Sequence, residues 1–425
     1  MTRLRHPLVA LAGVVALTVP WLAVVALGWT SSLGTVAVVA ASGVAVVGAA
    51  FVLTWAAETA ERDVPRSFAL AVLAVIAVAP EYAVDALYAW EAGANPGSPA
   101  SVAAANLAVA NMTGANRILI GLGWSLIALY AIYRAASGGD DAIRRREGVF
   151  ADAVALDERI SVELVFLGAA TVVAFFVPLG EGIDAVDGIV LVAIYAAYVA
   201  VILQGESSHE RQLGVPGYLQ GLPRARRVLA MLAMFAFAAA VILLAVKPFA
   251  RGLETLGPRF GVSSFFMIQW VAPLASESPE FIACAYLVRK FRTTPAFNAL
   301  ISSKLNQWTL LIGTLVLVYS LSLGYYGALP FEARQAGEIW ITAAQSFFAL
   351  TLLVNFEVSV REALALLALF AAQFHPVFQT YEGLLAYSAL YVVLGVGVLV
   401  ARRHYLPVVV ERARAYATGD GPEAT

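Results

Sequence analysis

Apolar residues run along this chain in long unbroken blocks, and the polar residues gather in the short stretches between them. Counting apolar runs of about 17 or more residues, the length that spans a bilayer as a helix, gives twelve segments. They lie at about 7–28, 33–57, 68–90, 100–134, 160–180, 187–204, 227–248, 262–287, 296–324, 337–354, 360–379 and 385–401. Within lipid the backbone must bond to itself, which a helix does segment by segment. The pattern therefore predicts an all-α polytopic membrane protein with about twelve transmembrane helices. The first block, Pro7 to Trp29, is as long as a span and longer than the apolar core of a signal peptide, so it is read as a retained first helix. The fourth is too long for one straight span and predicts a kink near Gly114, a tilt, or an extension into the cytoplasm.

The connecting stretches are short. The longest, about 135–159 and 205–226, are charged and contain glycine and proline, and the tail from Tyr416 to Thr425 is polar and reads as disordered. No separate soluble domain fits between the blocks. Placing the N-terminus in the cytoplasm puts twenty-one lysines and arginines on the inner side, among them Arg144, Arg145, Arg146, Arg224, Arg226 and Arg227. Only Lys247, Arg251, Arg259 and Arg334 fall outside. A wrong helix count would mix the sides, so this asymmetry supports both the count and cytoplasmic N- and C-termini.

Composition agrees. Of 425 residues, 61% are hydrophobic and 13% charged, with mean hydropathy +0.80, whereas soluble domains carry roughly 25% charged residues. The net charge of −2 excludes little. No basic patch interleaved with aromatics supports nucleic-acid binding. A single cysteine, Cys284, excludes an internal disulfide and a cysteine metal site and reads as inert core. The four histidines are too dispersed for zinc.

Six formal charges fall inside predicted spans: Glu81 and Asp85 in 68–90, Arg117 in 100–134, Glu277 and Glu280 in 262–287, and Lys304 in 296–324. Each costs roughly 2.5–3.5 kcal/mol at mid-bilayer, so each is kept for pairing or for function. Glu81 and Asp85 are four apart and Glu277 and Glu280 three apart, so each acidic pair shares a helix face. Pro80 precedes Glu81, and Pro273 and Pro279 flank Glu277, with Pro279 directly before Glu280. Proline removes one donor and frees a carbonyl four residues earlier, near Ile76 and Ala275, as a further oxygen ligand. Broken helices with mid-membrane carboxylates are how transporters build cation sites.

The block after each acidic pair carries amides and hydroxyls. One holds Asn106, Asn111, Thr113 and Asn116; the other holds Asn298, Ser302, Ser303, Lys304, Asn306 and Gln307. Aligned without gaps, Asn106 meets Asn298, Asn111 meets Ser303, and Gly121 meets Gly313; Pro80-Glu81 meets Pro279-Glu280 across one insertion. The two copies are five spans apart and cross the membrane in opposite senses. Such inverted repeats, meeting at the midplane, are the architecture of secondary transporters.

At these residues the chain resembles the calcium/cation antiporter superfamily, the sodium/calcium exchanger-like membrane proteins. Members carry two inverted repeats, each with a Pro-Glu helix followed by a helix reading roughly Gly-Asn-x-x-Gly-Ser-Asn. The Pro-Glu falls on Pro80-Glu81 and Pro279-Glu280, and the second motif on Ala110–Asn116 of the first repeat. The resemblance implies cation ligation by Glu81 and Glu280, completed by Asn111 and Ser303. It implies a first helix over 1–32, repeats over 33–204 and 227–379, a cytoplasmic loop over 205–226, and a last helix and tail over 380–425. The second repeat departs from the pattern: it reads Ser302-Ser303-Lys304-Leu305-Asn306-Gln307, Glu277 adds a carboxylate, and Gln307 sits where some members have one.

These readings predict a secondary-active antiporter exchanging calcium or another cation for sodium or protons by alternating access, with the first, second and seventh helices moving. Asp85, Glu277, Lys304, Gln307, Asn116 and Asn306 stand around the ligands, for coupling or as hydrogen-bonded packing. Four acids against two bases leave −2. Lys304 is expected to pair with Glu277 in place of a bound ion, and Arg117 with Asp85. Glu58, Glu163 and Glu357 read as solvated span ends. No cofactor is expected beyond the transported Ca2+, Na+ or H+; the partners are those cations and the lipid bilayer, and the cell membrane is the natural location. The alternatives are a sodium/proton exchanger on the same fold, a membrane-embedded enzyme, for which no nucleophile and base are arranged, and a non-transporting scaffold. Oligomeric state is not legible.

Overall fold

The computed structural model describes residues 6–60, 62–63, 79–135, 140–148, 150–203 and 213–418. In chain order its helices are α1 (Pro7–Ala26), α2 (Thr35–Ala60), α3 (Ala79–Ala94), α4 (Pro99–Ile118), α5 (Ser125–Arg134), α6 (Ser161–Phe176), α7 (Ala185–Ile202), α8 (Gly214–Gln220) and α9 (Arg224–Arg259). They continue with α10 (Ala272–Arg289), α11 (Thr293–Asn306), α12 (Ile312–Leu323), α13 (Ala333–Leu353), α14 (Val360–Ala372), α15 (Tyr381–Ala401) and α16 (Leu406–Thr418). Five short strands, β1 (Ile143–Arg144), β2 (Ala153–Ala155), β3 (Gly182–Ile183), β4 (Leu329–Pro330) and β5 (Glu357–Ser359), complete it. The fold is all-α and polytopic.

Nine helical stretches among the described residues are long and apolar enough to cross a membrane, and they fall on nine of the twelve predicted blocks. The other three differ for physical reasons. Of the block 68–90 only α3 lies within the described residues. The block 262–287 is diluted by Glu277, Glu280 and two prolines, and α14 has 13 residues.

Two compact units divide the chain. The first comprises Met1–Leu87 and Glu206–Pro279. In it α2 packs against both α1 and α9, and small residues set the spacing. A Cβ on Gly43 would meet the Phe249 ring at 2.7 Å, and one on Gly48 the Thr18 methyl at 2.9 Å. Helix α9 runs 36 residues, about 54 Å at 1.5 Å per residue, and passes through Pro248. Lys247, Arg251 and Arg259, expected in an outer loop, therefore lie in its second half. Pro248 has no N–H for the carbonyl of Leu244, and the buried Trp21 indole N–H of α1 donates to that oxygen instead at 3.1 Å. Pro258 likewise leaves the Glu254 carbonyl, which accepts from Ser264 Oγ at 2.8 Å. At the polar end, Arg227 grips Asp63 through two hydrogen bonds of 2.5 Å. The stretch expected as a plain loop over 205–226 contains α8.

The second unit comprises Tyr88–Gly205 and Glu280–Thr425. Here α13 packs on α15, α6 and α4, α7 packs on α12, and α14 on α5. Gly121 and Gly313, matched by the internal repeat, both sit beneath a neighbouring side chain: Phe370 for the first and Val192 for the second. The stretch 135–159 is not only loop. β1 and β2 pair antiparallel, and β2 pairs with β5, placing Ala153 opposite Ser359 and Ala155 opposite Glu357. Arg146 bonds to Glu357 at 2.5 Å, so that glutamate is ion-paired rather than simply solvated. Helix α16 packs on α6, with Arg412 bonding to Glu158 at 2.7 Å; the tail is thus helical to Thr418, and residues 419–425 lie outside the described residues.

Among the described residues, three π-helical turns interrupt the long helices, at Leu119–Trp124, Met267–Val271 and Gln307–Leu311. The irregularity predicted near Gly114 therefore begins five residues later, and α4 is regular through Ile118. The turn at 267–271 precedes Pro273, whose missing N–H cannot serve the Gln269 carbonyl, so the chain widens there.

Candidate cation-binding site

Each unit carries part of the predicted set. In the first, Glu81 and Asp85 on α3 and Glu277 on α10 are buried to within 3% of complete. Their spacing along α3 and α10 turns each toward the protein interior, although carboxylates belong in water. The carbonyl of Ala275, freed by Pro279 and expected to reach a cation, accepts from Ser278 Oγ at 2.9 Å. The corresponding position at Ile76 lies outside the described residues. One residue was missed from the sequence: Gln269 is buried in the π-helical turn, and neither atom of its side-chain amide has a hydrogen-bond partner among the described residues. A lone glutamine in an apolar run carries no local mark of this.

In the second unit the two halves of the repeat motif meet in part. Glu280, in the middle of α10, accepts a hydrogen bond from Ser303 Oγ of α11 at 2.9 Å. Asn111, on α4, is fully buried. Further along α4, Asn116 accepts from Lys304 Nζ at 2.7 Å, so the second-repeat lysine docks on the first-repeat amide. The ammonium also lies over the Trp308 ring, 4.3 Å from its centroid, a cation–π contact that eases the removal of a charge from water. Lys304 and Gln307 are fully buried, and Asn306 between them is buried as well.

Arg117, one residue beyond Asn116, has an unforeseen partner. Its guanidinium forms an ion pair with Glu338 of α13 and donates to Gln373 Oε1 at 3.2 Å. Gln373 in turn donates to Tyr391 OH at 2.8 Å, and Gln345 donates to the Arg117 carbonyl at 3.3 Å. Glu338 completes a buried ion pair between α4 and α13, which Gln373, just past the end of α14, links to Tyr391 of α15. Glu163, expected to be solvated, is also buried and accepts from Tyr198 OH at 3.1 Å.

Comparison with known proteins follows the same lines. The profile of the sodium/calcium exchanger protein family matches residues 33–204 and 230–374. No curated protein matches the sequence. Among solved structures, that of the H+/Ca2+ exchanger CAX is 41% identical, covers 97% of this chain and 98% of its own, and superposes with a TM-score of 0.87. The Ca2+/H+ antiporter protein YfkE is 14% identical, with 90% of this chain and 99% of that one covered and a TM-score of 0.57. The sodium-calcium exchanger NCX_Mj is also 14% identical, with 80% and 98% covered and a TM-score of 0.50. The last two show a shared fold alone. These neighbours are transporters, and a family match over most of the chain excludes the reading as a membrane-embedded enzyme. A carboxylate after proline in each half, a repeated amide-and-hydroxyl helix and a matching profile over both halves place the chain in the sodium/calcium exchanger protein family.

Proposed function

We propose that this protein is a secondary-active antiporter that exchanges calcium, or another cation, for protons by alternating access. Glu81 and Glu280 are the cation-binding carboxylates, Asn111 and Ser303 supply neutral oxygens, and no cofactor takes part. The observation that carries the choice of ions is the identity of 41% over 97% of the chain with the H+/Ca2+ exchanger CAX. The bond from Ser303 to Glu280 supports the assignment of the carboxylate: a neutral donor leaves the negative charge in place for a cation.

Because a carboxylate cannot hold a cation and a proton together, release of one accompanies uptake of the other. Helices α1, α2 and α9 belong to one compact unit, as helices that move together would. The asymmetry of basic residues favours both termini in the cytoplasm, and the cell membrane is the natural location.

The test is calcium-45 uptake into proteoliposomes of the purified protein, driven in turn by an imposed pH gradient and an imposed sodium gradient. The proposal expects uptake with the pH gradient, accompanied by proton movement seen with an internal dye. Uptake driven by sodium alone, indifferent to the pH gradient, rejects protons as the counter-ion and restores sodium.

A further inference from the structure

The second unit holds a carboxyl that the cation site does not use. Glu163 lies in the first turn of α6, with 9% of its surface exposed. Its Oε1 accepts from Tyr198 OH of α7 at 3.1 Å and from Ser302 Oγ of α11 at 3.5 Å, and those two hydroxyls are 3.4 Å apart. Its Oε2 is buried with no hydrogen-bond partner among the described residues. Three helices therefore converge on one oxygen of a carboxyl and leave the other bare.

The charges on the elements packed against α6 do not neutralise it. In the turn before α6, Asp157 adds a negative charge, and Glu158 bonds to Arg412 of α16 at 2.7 Å. Arg159, in the same turn, interacts with Tyr416 of α16. On α11, Lys304 bonds to Asn116, and on α13, Glu338 is taken by Arg117. Asp187, at the far end of α7, closes the capping box of that helix. A buried carboxylate without a basic partner is neutralised by a proton or a cation. Calcium takes 6–8 oxygen ligands, and one bare carboxylate oxygen with two hydroxyls already committed to Oε1 falls far short. A proton needs only Oε2.

We infer that Glu163 is a proton-binding site separate from Glu81 and Glu280, coupled to the cation site through the adjacent serines of α11. Ser302 touches Glu163, and the next residue, Ser303, donates to Glu280 at 2.9 Å. A proton arriving on Oε2 removes the carboxylate charge, so Oε1 becomes a carbonyl oxygen and accepts more weakly from Tyr198 and Ser302. The hydroxyl of Ser302 and the helix turn that carries Ser303 then feel whether Glu163 is loaded. Glu163 in this way takes up a proton of the exchange cycle without ligating the cation. The inference rests on the proton-exchange reading above.

The experiment pairs transport with infrared difference spectroscopy on the full-length protein. Glu163→Gln keeps an oxygen for Tyr198 and Ser302 but binds no proton. In proteoliposomes, the slope of log calcium-45 exchange rate against pH is expected to fall by about one proton in this variant. In the infrared, a carboxylic-acid carbonyl band that titrates in the wild type is expected to vanish. Tyr198→Phe keeps the acid and loses its donor, so it is expected to shift the midpoint of that band without removing it; this variant tests the site even where Glu163→Gln does not fold. A wild-type slope together with an unchanged band in Glu163→Gln, or an unmoved midpoint in Tyr198→Phe, overturns the inference. Because the infrared measurement needs no ion gradient, it reads Glu163 even where transport shows sodium, rather than protons, to be the counter-ion.

Discussion

Ser303 Oγ donates to Glu280 Oε2 at 2.9 Å, joining the helix that carries the second Pro-Glu to the amide-and-hydroxyl helix that follows it. Hydrogen bonds to a charged group contribute roughly 1.5–3 kcal/mol, about one to two factors of ten in affinity. Ser303→Ala should therefore raise the calcium concentration for half-maximal uptake about tenfold or more, with the protein still folded, and Ser303→Thr should recover most of the loss. Equal half-maximal concentrations for the alanine variant and the wild type would remove Ser303 from the cation site.

Lys304 is buried within the protein, held by Asn116 at 2.7 Å and the Trp308 ring. If it stands in for a bound ion, Lys304→Ala frees a negative charge and changes coupling more than fold. The expected result is an altered stoichiometry, read from the voltage or gradient that brings reconstituted exchange to zero. Unchanged ion dependence in the purified, reconstituted variant would reduce Lys304 to packing.

Arg117 and Glu338 form a fully buried ion pair. Removing one partner strands the other charge, at a cost of about 3–5 kcal/mol, whereas replacing both with apolar residues is often near neutral. Glu338→Gln should lower the unfolding temperature in detergent markedly, and the double variant Glu338→Leu with Arg117→Met should recover most of it. Equal losses from the single and double variants would show that the pair contributes through something other than its charges.

Asp63, in the turn after α2, is held below the usual carboxylate range, chiefly by its hydrogen bond from Arg227 and secondarily by the charges of Arg227, Arg224 and Arg62, against an opposing effect of burial. A carboxyl depressed in the folded state stabilises above its unfolded pKa of about 3.9, and the stability disappears as pH falls through the folded value. Acidification below about pH 4 should thus loosen the junction of α2 and α9. Asp63→Asn should be less stable at neutral pH and lose less on acidification, measured by thermal unfolding over that range. Parallel curves for the variant and the wild type would exclude this contribution.

The spans were legible because lipid demands long apolar helices, and Glu81 and Glu280 stood out because a Pro-Glu within such a run has no cheap explanation. Glu163 and Glu338 did not stand out. Each lies within a few residues of where its apolar block begins, so each read as a span edge or passed unremarked. Helix α6 begins one residue inside its block and α13 four residues before its own, and neighbouring helices cover those turns. The partner of Arg117 is 221 residues away, a separation that no local pattern reports. The π-helical turns follow from one extra residue per turn and leave no trace in composition. The Ala275 carbonyl behind Pro279 is expected from the sequence to be a free oxygen, yet it accepts from Ser278, as those of Leu244 and Glu254, also behind prolines, accept from Trp21 and Ser264.

Calcium-45 uptake by proteoliposomes containing Glu81→Gln or Glu280→Gln bears most directly on the role of the two carboxylates. Glutamine keeps the shape and removes the charge. Each variant, folded by its thermal transition, is expected to lose uptake to the level of protein-free liposomes. Wild-type uptake by either one would contradict the assignment of that carboxylate to the cation.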